Sequence, residues 1–176
     1  KSHPSDRGGQ GQISQVYEKT RDPRFKGKVF LLEDYDIEVG RHLVQGVDMW
    51  LNNPRRPLEA SGTSGMKAAA NGVPNVSILD GWWDEAYEGP DNRNGWAVGG
   101  REVNRDSEEQ DRLDAEEVYS ILEQDVIPAY FDRDASGLPV RWLEVMKRAI
   151  ATSALAFSTK RMLEDYLTQM LVKDQG

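Results

Sequence analysis

The chain contains no cysteine. That removes disulfides, thiolate metal sites and a cysteine nucleophile, and it fits a cytoplasmic protein. Histidine is almost as scarce, with only His3 and His42, far apart in the chain. No His–carboxylate cluster therefore supports a metal site or a hydrolytic triad. No run of about 18 apolar residues occurs, so no membrane span is expected. A basic-then-apolar leader is also missing. Basic residues are outnumbered, 22 against 30 acidic, for a net charge of −8. Such a balance repels a phosphate backbone and argues against nucleic-acid binding. The chain begins at Lys1 rather than Met, as expected of a processed chain or a piece of a longer one.

With 176 residues, 38% hydrophobic and 30% charged, the chain is long enough for one soluble domain with a core. KSHPSDRGGQ at its start is polar and rich in breakers, and reads as a loop. Ile13, Val16 and Tyr17 recur at helical spacing within 12–20. KVFLL (28–32) is an apolar run bounded by turn signals, which predicts a strand buried on both faces. Asp36 is placed to cap a helix carrying Ile37, Val39, Leu43 and Val44, broken at Gly46. VDMWL (47–51) predicts a second strand, 62–71 a helix ended by Asn71-Gly72, and 76–79 a third strand. This alternation implies a parallel sheet with crossover helices.

The character then changes. DGWWDEAYEGPDNRNGWAVGG (80–100) reads as a loop, and RDSEEQDR (105–112) as a solvated charge run. Helices are expected over 114–128, 139–156 and 159–172. The last carries Met162, Leu163, Tyr166, Leu167, Met170 and Leu171 along one side.

The stretch EASGTSGMKAAANG (59–72) carries the most chemistry. A strand-to-helix loop of Ser, Gly and Thr exposes backbone N–H groups at a helix N-terminus, where the helix dipole favours an anion. Thr63 and Ser64 add hydroxyls, and Gly62 permits close approach to the backbone. Thr63 and Lys67, four apart, share a helix face. A nucleotide phosphate loop is excluded, because Met66 precedes Lys67 and Ala68 follows it. Physics alone leaves two readings open, an anion site or an ordinary capped helix with a surface lysine.

Two further features have bland readings. FDRDASGLP places Asp132, Asp134, Ser136 and Gly137 as in a calcium loop, but Leu143 stands where the closing carboxylate belongs. A polar turn between helices is the better reading. Trp82 and Trp83 are either a sugar-stacking platform or buried loop anchors. Asp84 and Glu85 read as surface charges rather than a glycosidase pair.

EASGTSGMKAAANGVPNVSILDGWWDE closely resembles the pyridoxal-phosphate region of the α-glucan (glycogen/maltodextrin) phosphorylases, particularly their bacterial form. KSHP, FLLEDYD and DRDASGLPVRWLEVMKRAI extend the resemblance over nearly the whole chain. The resemblance implies the following expectations. Lys67 would form the Schiff base with pyridoxal 5'-phosphate, and Thr63, Ser64, Gly62 and Gly65 would hold the cofactor phosphate. Tyr35 would line the cofactor ring. Glu59, Ala60, Ser61 and Gly62 would hydrogen-bond the glucosyl unit. Ser64-Gly65 departs from the Gly-Asn of the animal enzymes, but the bacterial form shares it. The implied reaction is reversible phosphorolysis of a terminal α-1,4-linked glucose of a glucan by inorganic phosphate, giving α-D-glucose 1-phosphate with retention. The implied fold is α/β, a Rossmann-like parallel sheet with crossover helices, being the later half of a GT-B C-terminal domain. Residues 1–100 would form the cofactor- and glucose-binding part, and 101–176 a helical tail of the same domain.

The family's upstream lysine–arginine run and active-site histidine loop have no counterpart here. The expected partners therefore include a missing N-terminal domain of the same protein, and a homodimer for the full-length enzyme. The piece alone is expected to be inactive. Two rivals belong to other classes: a sugar-nucleotide glycogen or starch synthase domain, which needs no cofactor lysine, and a non-catalytic carbohydrate-binding module.

Overall fold

A computed structural model describes residues 4–103 and 106–171; His3 of the KSHP turn and Val172 of the last helix lie outside them. The chain divides into two compact units, one running to His42 and the other from Leu43 onward.

In the first unit, α1 spans Arg7–Arg21 and so begins inside the stretch that composition assigns to a loop. The Asp6 carboxylate accepts a hydrogen bond from the Gly9 N–H at 2.9 Å. This cap lets the helix start despite three glycines that disfavour it. KVFLL is not a strand. Phe30 is 74% exposed, and no described strand pairs with the segment. A doubly buried strand exists only when neighbours supply its ladder on both sides, and none is supplied. Helix α2, Ile37–Gly46, begins in this unit and runs past its last residue; it starts as expected, with Asp36 Oδ1 accepting from the Val39 N–H at 2.9 Å.

The second unit holds a three-stranded sheet, β1 (Trp50–Asn52), β2 (Asn75–Ile78) and β3 (Gly95–Val98). The order is β1-β2-β3, and both pairings are parallel, with Trp50 opposite Asn75 and Asn75 opposite Gly95. Helix α3 (Thr63–Ala70) crosses from β1 to β2, and the short α4 (Trp82–Ala86) lies between β2 and β3. Both α4 and β3 fall in the stretch expected to be a loop. Glycine and polar residues hide their pattern, yet Trp82, Trp83, Trp96 and Val98 are all buried. Burial of large apolar area outweighs weak local propensity there.

Helix α5 runs Ser107–Ile121, starting earlier than its apolar spacing indicates because Asp106 accepts from the Glu108 and Glu109 N–H groups. Residues 107–112 of the charge run form its first turns, where Arg112 pairs with Glu109 and Glu116, while Arg105 of that run lies outside the described residues. A π-helical turn, Leu122–Val126, leads into α6 (Ile127–Phe131). Helix α7 spans Val140–Ala156, and α8 (Thr159–Tyr166) continues into a π-helical turn, Leu167–Leu171. Between α6 and α7, Asp134 Oδ1 accepts from Ser136 N, Ser136 Oγ and Leu138 N at 2.7–2.9 Å. Its carboxylate is thus spent on a turn, as the missing closing ligand implies. Among the described residues no helix is long and apolar enough to cross a membrane.

One side of the sheet packs Val76, Ile78, Trp96 and Val98 against Val126, Ala129, Trp142 and Val145. A second cluster joins Ala69 and Ala149 to Leu79, Trp82, Trp83 and Ala86. Gly95 is packed tightly, and an added Cβ there would stand 2.6 Å from the Asn75 carbonyl and 2.7 Å from the Trp83 ring. Replacing Gly95→Ala is therefore expected to cost about 1–3 kcal/mol through overpacking. Urea unfolding followed by tryptophan fluorescence measures it, and an unchanged midpoint would refute the close packing.

Candidate functional site

Parallel pairing sends the C-terminal ends of β1 and β2 to one edge of the sheet, the edge at which open α/β sheets bind ligands. The chain leaves β1 there and enters α3, so the N-terminus of α3 lies at that edge. Small inward-facing residues make this possible. Ala68 and Ala69 are fully buried, and a Cβ on Gly65 would lie 2.7 Å from Asn75 Oδ1 and 2.8 Å from Trp82 Nε1. The buried Asn75 donates from Nδ2 to the Gly65 carbonyl at 3.2 Å, tying the helix to β2.

The opposite face of α3 is open. Thr63, Ser64 and Lys67 are exposed, with Lys67 one turn beyond Thr63. Gly62 occupies the N-cap position at φ 89°, ψ 45°, a left-handed conformation natural to glycine, and no side chain caps the helix. The Gly65 and Met66 N–H groups turn to the Gly62 carbonyl at 3.1 and 3.5 Å, which leaves the N–H groups of Thr63 and Ser64 facing the edge without a partner among the described residues. Lys67 forms no ion pair with any described carboxylate.

The loop before α3 is held from behind. Asp80, 7% exposed, accepts from the Glu59 N–H at 2.8 Å through Oδ2 and from the Gly81 N–H at 3.0 Å through Oδ1. The Trp82 N–H donates to the Ser61 carbonyl at 2.8 Å. Trp82 and Trp83 are 4% and 1% exposed, with Trp83 Nε1 donating to the Trp96 carbonyl at 3.3 Å. They are buried anchors, not a sugar-stacking platform. A cleft of about 410 Å³ opens beside the loop, lined by Ala60, Ser61, Met66, Trp82, Glu85 and Phe157, among others.

The structure thus gathers Glu59, Ala60, Ser61, Gly62, Thr63, Ser64, Gly65 and Lys67 along one loop and helix start. Tyr35 belongs to the first unit, where its hydroxyl lies close under Gly40. Asp80 had no part in the sequence reading, though its place in the Leu-Asp-Gly turn after β2 was a usable signal. Nor did Arg56 and Arg101, and nothing local marks either. Arg56 donates to the Leu79 carbonyl and to Asp84 Oδ2, while Arg101 Nε donates to Asp84 Oδ1 at 2.6 Å. Asp84 is therefore a junction between two arginines rather than a plain surface charge.

This is an α/β protein with a parallel sheet edge and an uncapped helix start beside a lysine. Its relatives give it a family. A glycogen phosphorylase of Aquifex aeolicus is 48% identical over 179 residues, covering all of this chain and 25% of its own length. A maltodextrin phosphorylase of Thermococcus litoralis is 46% identical, covering 98% of this chain and 20% of its own length. A glycogen phosphorylase of Mycobacterium bovis is 44% identical, covering 95% of this chain and 19% of its own length. No protein-family model matches the chain. The chain belongs to the α-glucan phosphorylase family, and it spans about a fifth to a quarter of the length of these relatives.

Burial pushes the Asp84 carboxyl up, but the hydrogen bonds and charges of Arg56 and Arg101 outweigh it and hold it below its ordinary range. A depressed folded-state value means stability that is present above the ordinary aspartate value of about 3.9 and lost as pH falls through the lower one. Asp84→Asn is expected to shrink the drop in melting temperature between pH 6 and pH 3. An undiminished drop in the variant would count against the junction.

Proposed function

We propose that this chain is the cofactor- and glucosyl-binding part of an α-glucan phosphorylase, the later half of a GT-B C-terminal domain. The whole enzyme catalyses reversible phosphorolysis of terminal α-1,4-glucosyl units, giving α-D-glucose 1-phosphate with retention. One observation carries the reading: α3 begins without a cap at a sheet edge, with Thr63, Ser64 and Lys67 open on one side. The family membership of the chain supports the same ligand.

The residues fit pyridoxal 5'-phosphate. The N–H groups and hydroxyls of Thr63 and Ser64 form a donor set for a phosphate dianion, and the helix dipole adds to it. Gly62 turns the chain into the helix without a capping side chain, Gly65 seats the helix start against Asn75 and Trp82, and Lys67 supplies the amine that anchors the cofactor. When bound, pyridoxal phosphate supplies a second phosphate that exchanges a proton with substrate phosphate. Glu59, Ala60, Ser61 and Gly62 hold the glucosyl hydroxyls against the edge. The buried Trp82 and Trp83 keep water from behind the loop.

The remaining parts of the site are proposed to lie on the rest of the enzyme, a preceding domain of the same protein. Met162, Leu163, Tyr166 and Leu167 on the last helix are 45–55% exposed, a row that favours a further protein surface over water.

Mass spectrometry after incubation with pyridoxal phosphate and borohydride reduction is expected to find a pyridoxyl group on Lys67, and none in Lys67→Ala. Labelling elsewhere, or equal labelling of the variant, would overturn the assignment. The isolated chain is expected to form no glucose 1-phosphate from maltodextrin and phosphate. Clear turnover by it would contradict a site completed by another domain.

A further inference from the structure

We infer that Asp80 is a positioning residue, whose carboxylate templates the loop proposed above to hold the glucosyl unit; the inference rests on that reading of the loop. Asp80 does not belong to the loop it organises. It follows β2, all four of whose residues are buried, so its backbone stands on the rigid part of the sheet. Both of its oxygens are committed, Oδ2 to the Glu59 N–H and Oδ1 to the Gly81 N–H. One carboxylate thus fixes the start of the glucosyl loop relative to the turn behind it. The Trp82 N–H closes the frame on the Ser61 carbonyl.

Gly81 sets how close the two segments come. Its φ is +53°, and a Cβ there would stand 2.6 Å from the Ser61 carbonyl oxygen and 3.1 Å from that of Glu59. Any side chain at 81 would drive the loop outward. The acid at 80 is equally specific. Asparagine keeps one accepting oxygen and would aim an NH₂ group at the other backbone donor, leaving that N–H unpaired. Asp80 therefore acts through the Glu59–Ser61 backbone, and its effect belongs to glucosyl binding rather than to the anchoring of a cofactor on Lys67.

The test uses the full-length enzyme carrying this sequence, as wild type, Asp80→Asn and Gly81→Ala. KM and kcat for glucose 1-phosphate, bound cofactor by absorbance, and amide exchange of peptides spanning 58–62 are measured. Both variants are expected to raise KM for glucose 1-phosphate about tenfold, the effect of one lost hydrogen bond at a buried charged group. Cofactor content should hold, and exchange at Glu59 should accelerate in Asp80→Asn. Unchanged KM with cofactor retained overturns the inference, as does unchanged exchange at Glu59. A loss of cofactor and stability with KM preserved makes Asp80 merely structural and overturns it too. Gly81→Ala keeps every donor and acceptor, so it carries the test if Asp80→Asn does not fold. A wild-type enzyme without phosphorolysis would sink the functional reading instead, while Glu59 exchange still decides whether Asp80 templates the loop.

Discussion

The close approach of α3 to β2 controls the carboxyl edge of the sheet. Gly65, Ala68 and Ala69 present almost no side chain to the layer beneath, so the helix settles until Gly65 lies against Asn75 and Trp82. At that spacing the Asn75 amide reaches the helix backbone and the Trp82 ring closes the gap behind the loop. A larger residue at any of the three positions would lift the helix and carry its N-terminus away from the turn after β2. Packing and site geometry are here one constraint, because interiors at crystal-like density transmit displacements of a methyl group.

The tryptophans complete this arrangement from the other side. Trp82 and Trp83 sit on one short helix, with ring centroids 5.2 Å apart, and Trp82 meets Phe157 edge-on at the same distance. Five residues of helix have little intrinsic stability. What holds α4 is the burial of these two rings between the loop, the sheet and α7. These rings form a packed floor under residues 59–62. The Arg56–Asp84–Arg101 junction pins the outer end of α4 in the same way.

Polar groups at this edge are divided by role. Asp80 and the Asn75 amide are buried and hold backbone, while Asp84, part-exposed, holds two arginines. The side chains of Thr63, Ser64 and Lys67, with the N–H groups of Thr63 and Ser64, face outward without partners among the described residues. Unsatisfied donors gathered at an exposed helix start tolerate solvent and favour an anion. A family whose members are named for phosphorolysis is a natural setting for such a division.

Much of this was legible in the residues. The helical start at Thr63, the shared face of Thr63 and Lys67, the cap at Asp36 and the parallel β–α–β order around Val76 all follow from local spacing and from backbone chemistry. So did the polar turn at Asp134 between two helices. Other features were decided only by tertiary contacts. KVFLL has a strand's composition, yet no described strand supplies its ladder, whereas the glycine-broken stretch around Trp82 and Trp96 became helix and strand because the rings found a core. Asp80, Arg56 and Arg101 acquired their partners across 17 to 28 positions of sequence. Local propensity acts over one or two turns of chain, so the residues by themselves determined where a helix starts and which groups it leaves open. Which distant carboxylate or ring would hold that start in place is a matter of packing, and only the folded chain decides it.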